Sequence, residues 1–215
     1  MTDPATLRNL AADLGADVTL DAATRLLAYL DAMLEENRNV NLTAVRDREE
    51  AVLFHALDSL AFGCGSRAAP PKRALDLGTG NGFPGVAVLC VYPRVRVVLM
   101  DRTLKKLKAI ERALRASELW SERVETLQMD AREAPAHGFE RDFDLITARA
   151  VAPPAELAVL AKPLLSRGGR LLCWLGGETE APPQLKGALK RLEAIEYTLP
   201  EPAGRQRRLV HYGRG

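Results

Sequence analysis

Residues 76–85, Asp-Leu-Gly-Thr-Gly-Asn-Gly-Phe-Pro-Gly, put one carboxylate and four glycines within ten positions. The apolar residues before them read as a short buried strand, and Val86–Leu89 after them as the start of a helix. Glycine lets such a turn reach positive φ and lets a ligand approach the backbone. In open α/β sheets, ligands sit outside the carboxyl ends of the strands. Pro84 suits the first helical turn, where its missing N–H is not needed. Two ligands compete for the loop. Gly80 to Gly85 matches G-x-G-x-x-G, the dinucleotide fingerprint, a weak signal when taken alone. The whole stretch also matches D-x-G-x-G-x-G, the loop that binds S-adenosyl-L-methionine in methyltransferases. Asp76 separates the two readings. A carboxylate facing the loop repels a pyrophosphate at a helix N-terminus and attracts the ammonium of a methionine tail, directly or through water. S-adenosyl-L-methionine is the expected cofactor, with Asp76, Gly78, Gly80, Gly82 and Phe83 in its site. The plain alternative is a tight turn that holds no ligand.

The next candidates lie at later strand ends. Val95–Met100 reads as a second strand and Asp101 ends it, about 20 positions after the glycines, where an acidic residue usually grips ribose hydroxyls. Both candidate cofactors carry an adenosine ribose, so Asp101 does not choose between them; its plain alternative is a cap on the next helix. Arg102 and Thr103 complete this part of the expected site. Val124–Met129 reads as a third strand leading into Asp130-Ala131-Arg132, a loop expected beside the adenine. Phe143–Ala148 reads as a fourth strand that runs straight into Arg149. An arginine at a strand's carboxyl end is expected to be functional, its alternative being a buried structural ion pair.

Basic residues suggest a nucleic-acid substrate. Lys105 and Lys106 fall in the first turn of a helix over 103–116, where cations oppose the helix dipole. They are therefore candidate phosphate contacts, whereas Lys108 and Arg115 read as a solvated face. Arg205, Arg207 and Arg208 lie in an expected basic loop between the last two strands, whose alternative role is solubility.

The elements that must position these groups form a doubly wound, seven-stranded, mostly parallel α/β sheet. Residues 1–62 read as an N-terminal helical cap and 72–215 as the core, with the Gly-, Ala- and Pro-rich residues 63–71 between them. Leu7, Leu10 and Leu14 mark a first helix. Asp21 is placed to cap a second, bearing Leu26, Leu27, Leu30, Met33 and Leu34. It should stop at Asn37–Asn41, because asparagine side chains compete for backbone bonds. Asp47 starts a third. Gly168-Gly169 turns into a fifth strand, Arg170–Leu175, and a reversed hairpin closes the sheet.

At 215 residues, 27% charged and with a net charge of +2, the chain reads as one ordinary globular domain with a small extension, and any affinity for RNA must be local. Cys64, Cys90 and Cys173 are scattered, odd in number and without ligand spacing, so they read as reduced thiols of a cytoplasmic protein, and no metal is expected. No signal peptide or membrane span is visible. A monomer is expected.

Taken together, Asn37-x-x-x-Asn41-Leu42-Thr43, His55-x-x-Asp58-Ser59-Leu60, the loop from Asp76 to Gly85, Lys105-Lys106 and Arg149-Ala150 resemble the small-subunit ribosomal RNA guanine-N7 methyltransferases, the RsmG or GidB family. The resemblance implies that Gly78 and Phe83 contact the cofactor, that Ala131 and Arg132 flank its adenine and that Arg149 lines the active site. It also implies that Asp101 is the ribose-binding acid, and that Asn41, His55, Asp58 and Ser59 close over the site, with Asn41 and His55 as further candidate RNA contacts. The implied partner is 16S rRNA or the small ribosomal subunit. Two departures remove cations. Trp174-Leu175-Gly176-Gly177 stands where Lys-Gly is usual, and Phe54 where an arginine commonly precedes the histidine. Arg208 stands where a histidine is frequent. Guanine N7 carries a free lone pair, so such an enzyme needs alignment and water exclusion rather than a strong base. A small-molecule methyltransferase, or a binding module without activity, would share the loop.

Overall fold

A computed structural model describes residues 1–64, 69–185 and 189–214. The N-terminal segment is helical, and each helix has a chemical start. Helix α1 (Pro4–Asp13) begins at Asp3, whose carboxylate accepts the Thr6 N–H at 2.7 Å. Helix α2 (Leu20–Asn37) is capped by Thr19, which accepts the Ala22 N–H at 3.1 Å. Asp21 was the expected cap. It falls instead in the first turn, where a carboxylate still complements the helix dipole. The stop at Asn37 is as expected and has a specific cause: the buried Asn37 Oδ1 accepts the N–H groups of Leu42 and Thr43 at 2.8 and 3.0 Å, and its Nδ2 donates to the Thr43 carbonyl.

Asp47 caps α3 (Arg48–Ala51), which continues through a π-helical stretch, Val52–Leu57, into α4 (Asp58–Leu60). Such wide turns are rare and gather at functional sites. Here the stretch contains Phe54 and His55 and delivers Asp58.

Five parallel strands follow: β1 (Arg73–Leu77), β2 (Arg96–Asp101), β3 (Val124–Gln128), β4 (Phe143–Arg149) and β5 (Leu165–Gly176). With β6 (Gln184–Leu185), β7 (Leu189–Thr198) and β8 (Gln206–Arg214) they make one sheet of order β3-β2-β1-β4-β5-β8-β7-β6. The short β6, paired antiparallel with β7, brings the count to eight where seven strands were expected. The hairpin is longer than expected too. Gln206 pairs with β7, and Arg207 and Arg208 with both β7 and β5, as strand, leaving only Arg205 of the basic run in the turn. Gly168-Gly169 also lies within the bounds of β5 rather than before it.

Strand order reverses between β1 and β4, the position at which open sheets of this kind form their crevice. Helix α5 (Gly85–Val91) follows β1, with Pro84 at its N-cap instead of inside its first turn, and α6 (Leu104–Ala116) follows β2. Helix α7 (Pro154–Ala161) follows β4. Leu7, Leu26, Leu30 and Met33 of the N-terminal helices share one apolar cluster with Val86 of α5 and Leu107, Ile110 and Leu114 of α6. A second cluster, on the other face of the sheet, joins Leu75, Ile146 and Leu171 to Leu157 of α7. Among the described residues no helix is long and apolar enough to cross a membrane.

Candidate active site

The loop after β1 is held from two sides. Gly78 and Gly82 both have positive φ, +68° and +89°. A Cβ on Gly78 would stand 2.7 Å from Val151, and one on Gly82 would stand 2.0 Å from the Tyr29 hydroxyl. That hydroxyl, from α2, donates to the Asn81 carbonyl at 2.9 Å, and the Tyr29 and Phe83 rings lie 5.4 Å apart. Gly82 therefore makes room for a tyrosine of the N-terminal helices and does not face the cavity, contrary to its expected role. Gly80 is different: nothing except the Gly78 carbonyl, 3.7 Å away, comes near the place of its missing Cβ.

Asp76 is also placed differently from expectation. Its carboxylate is buried beneath the loop and accepts hydrogen bonds from Thr147 Oγ1 of β4 and Thr79 Oγ1, both at 2.6 Å. Burial pushes its pKa up to about 6, against the pull of those hydroxyls. It ties β1 to β4 and fixes Thr79, rather than offering a charge to the cavity.

That cavity has a volume of about 920 Å³ and lies across the carboxyl ends of β1 to β4. Each strand end contributes. Gly78, Gly80 and Phe83 line it from the first loop, Asp101 and Arg102 from the second, Asp130, Ala131 and Arg132 from the third, and Arg149 from the fourth. Thr103 does not line it; its N–H is bonded to Asp101 Oδ1 at 2.8 Å, while Asp101 Oδ2 accepts the Gly80 N–H at 3.1 Å. Asp101 thus joins two loops and faces the cavity as well. The Asp130 carboxyl is held below its ordinary range, first by the Arg132 backbone N–H and then by the Arg132 and Arg102 charges.

Arg149 is nearly buried and firmly tied. Its Nη1 donates to the Phe54 carbonyl at 3.0 Å, to Asp58 Oδ2 at 3.2 Å and to Ser59 Oγ at 3.3 Å. Its Nη2 has only long contacts, 3.5 Å each, to His55 Nδ1 and the Phe83 carbonyl. The next residue, Ala150, sits at φ +56°, a region that costs a non-glycine residue about 1–3 kcal/mol and that gathers at functional sites. Asp58 is wholly buried and also accepts from Tyr197 Oη at 2.7 Å and from Arg207 Nε and Nη2 at 3.1 and 2.8 Å. Its backbone carbonyl takes the Trp174 indole N–H at 2.8 Å.

His55 lies against Phe83, ring centroids 5.9 Å apart, with Nε2 2.9 Å from Thr43 Oγ1. Burial, aided by the Arg149 charge, lowers its pKa to about 3, so it is neutral at pH 7. Because Arg149 offers only donors, Nδ1 must be unprotonated, and Nε2–H donates to Thr43.

Of the expected RNA contacts, His55, Lys106, Arg205 and Arg207 line the cavity, whereas Asn41, Lys105 and Arg208 do not. Asn41 accepts from Arg46 at 3.2 Å. Arg208 is paired with Glu196 at 2.7 Å. Arg207 is spent on Asp58. Tyr29, Thr147 and Tyr197 had no local signal. Each acts through a partner far away in the chain.

Residues 22–209 match the family model described as rRNA small subunit methyltransferase G, GidB. The chain is 32% identical over 196 residues to the ribosomal RNA small subunit methyltransferase G of Caldanaerobacter subterraneus subsp. tengcongensis, covering 88% of this chain and 81% of that one. It is 37% identical over 179 residues to the protein of the same name from Chromohalobacter salexigens, covering 81% and 82%. Among solved structures it is similar in fold to Aeropyrum pernix fibrillarin, crystallised with natively bound S-adenosyl-L-methionine. That likeness has a TM-score of 0.54 at 18% identity, covering 75% of this chain and 76% of that one.

Proposed function

The chain belongs to the rRNA small subunit methyltransferase G family, and on that premise we propose that it transfers a methyl group from S-adenosyl-L-methionine to N7 of one guanine in 16S rRNA. The observation that carries this reading is the meeting of four successive strand ends at one cavity, with a rigidly held arginine at the fourth.

The residues fit such a cofactor. Gly80 leaves its side of the loop open, and the Asp101 carboxylate beside it is an acceptor suited to ribose hydroxyls. Ala131 and Arg132 are the residues assigned to the adenine. When bound, the cofactor supplies a methyl carbon made electrophilic by its sulfonium. The rest is positioning. Phe83 and His55 stack, and this ring pair excludes water from one wall of the cavity. Arg149, with Nη2 only loosely engaged, keeps donor capacity for guanine O6 or for a developing charge. A lone pair on N7 needs no proton removed, which agrees with a histidine kept neutral and buried and an aspartate sealed beneath the loop. On this reading the reaction takes place in the cytoplasm, where ribosomal RNA is the substrate.

The deciding experiment is detection of N7-methylguanine in 16S rRNA from cells with and without this protein, together with methyl transfer to isolated small subunits. Equal N7-methylguanine in both cell lines overturns the reading. Labelling of a metabolite with none of RNA points to a small-molecule methyltransferase, and cofactor binding with no transfer at all points to a binding module.

A further inference from the structure

Most cations that line the cleft are already neutralised. Arg102 and Arg132 reach Asp130, and Arg149 and Arg207 share Asp58. Arg205 is not. Among the described residues its guanidinium has no carboxylate partner, and it lies over the Phe54 ring, 4.7 Å from the centroid. Both members of the pair line the cavity. Phe54 is fixed from behind: its carbonyl accepts from Arg149, and its side chain packs against the main apolar cluster. Arg205 is exposed, in the turn between β7 and β8, where its carbonyl accepts the Leu199 N–H at 3.0 Å. The pair therefore sets a guanidinium over an aromatic ring in the cleft, next to Arg149.

From this geometry we infer that Phe54 and Arg205 form a stacking platform for an unpaired purine base of the RNA substrate, an inference that rests on the proposed function. Proteins read single-stranded RNA by stacking splayed bases on aromatic rings and guanidinium planes. A guanidinium is planar and weakly hydrated, so it can lie on a ring with one face and take a base on the other. A lysine in its place carries the same charge but has no plane. The missing carboxylate matters too, because an arginine already paired would have to give up that partner to meet RNA. The adenine of the cofactor is not the ligand assigned here, since its site lies at the end of β3.

The test measures methyl transfer to isolated small subunits by the parent protein, Arg205→Ala, Arg205→Lys, Phe54→Leu and Phe54→Tyr, with cofactor affinity and a thermal melt for each. The platform predicts that KM for the subunit rises roughly tenfold, the order produced by losing one base stack, in Arg205→Ala, Arg205→Lys and Phe54→Leu alike. Phe54→Tyr, which retains a ring face, raises KM less than Phe54→Leu does, and cofactor affinity does not change. Parent-like KM in Arg205→Lys overturns the inference, because charge alone then suffices. A common loss of cofactor affinity overturns it by placing the pair in the cofactor site. A parent protein that methylates no RNA removes the functional reading itself, a failure distinct from both.

Discussion

Arg149 at the end of β4 and Asp58 in α4 stand 91 positions apart in the chain and 3.2 Å apart in space. Asp58 has no exposure and the Arg149 side chain only 11%. A charge taken this far from water is retained only if it is paired and hydrogen-bonded. Asp58 meets that condition with two arginines and a tyrosine, so the orientation of Arg149 in the cavity wall depends on an acid that does not itself line the cavity.

Asp58→Asn leaves Arg149 and Arg207 without their shared counter-charge. Removing one partner of a buried pair costs about 3–5 kcal/mol, so the denaturant midpoint should fall sharply and kcat with it, while the glycine loop after β1 keeps its own bonds. Unfolding and turnover measured on one preparation check this. An unchanged midpoint would contradict the assigned role.

Arg149→Ala is the milder change for the fold, since Asp58 keeps Arg207 and Tyr197. Methyl transfer to subunits should still fall by at least about tenfold, as expected for loss of a positioned donor. Circular dichroism and a methyl-transfer assay separate the two effects.

Gly82→Ala should weaken cofactor binding by about tenfold or more, although Gly82 does not line the cavity. The added methyl meets the Tyr29 hydroxyl and the backbone is at φ +89°, a conformation unfavourable to any residue with a Cβ. Tyr29→Phe, which only removes the bond to the Asn81 carbonyl, should cost about 1 kcal/mol of stability. Calorimetry with the cofactor and a thermal melt test the pair.

Stability should vary with pH in two opposing ways. The folded pKa of Asp76 is raised from 3.8 to about 6, so between these values the folded state binds the extra proton and stability falls as pH rises. His55 and His211 have folded pKa values lowered from 6.5 to about 3 and about 4, chiefly by burial, so the unfolded state binds the extra protons there and stability falls as pH drops below about 6.5. Asp76→Asn should therefore gain on the parent as pH climbs from 4 to 7, by up to about 3 kcal/mol. Denaturant titrations of both proteins across that range show it; a constant difference would refute the buried-acid account.

The parallel strands, and the strand ends that line the cavity, were legible because each is an apolar run closed by an acid, a glycine or Arg149. What the sequence misplaced is non-local. Asp76 reads as a loop-facing charge by its position at a strand end, yet the hydroxyl of Thr147, from a strand paired later, turns it inward. Tyr29 gave no sign of its role, because its partner Asn81 lies 52 residues ahead. Arg207 reads as a loop cation until β8 pairs with β7 and carries it to Asp58. Phe54 reads as a lost cation, but Arg205 is brought back over its ring from the far end of the chain.

The Asp58 junction also sets an order in time. The carboxylate is made first, Arg149 follows 91 residues later, and Tyr197 and Arg207 come 139 and 149 residues after it. Until β8 arrives, a nascent chain holds the buried acid with one cation instead of two, and the wall of the cleft bearing Arg205 and Arg207 does not yet exist. The junction around Asp58 is therefore complete only once the β7–β8 hairpin has docked.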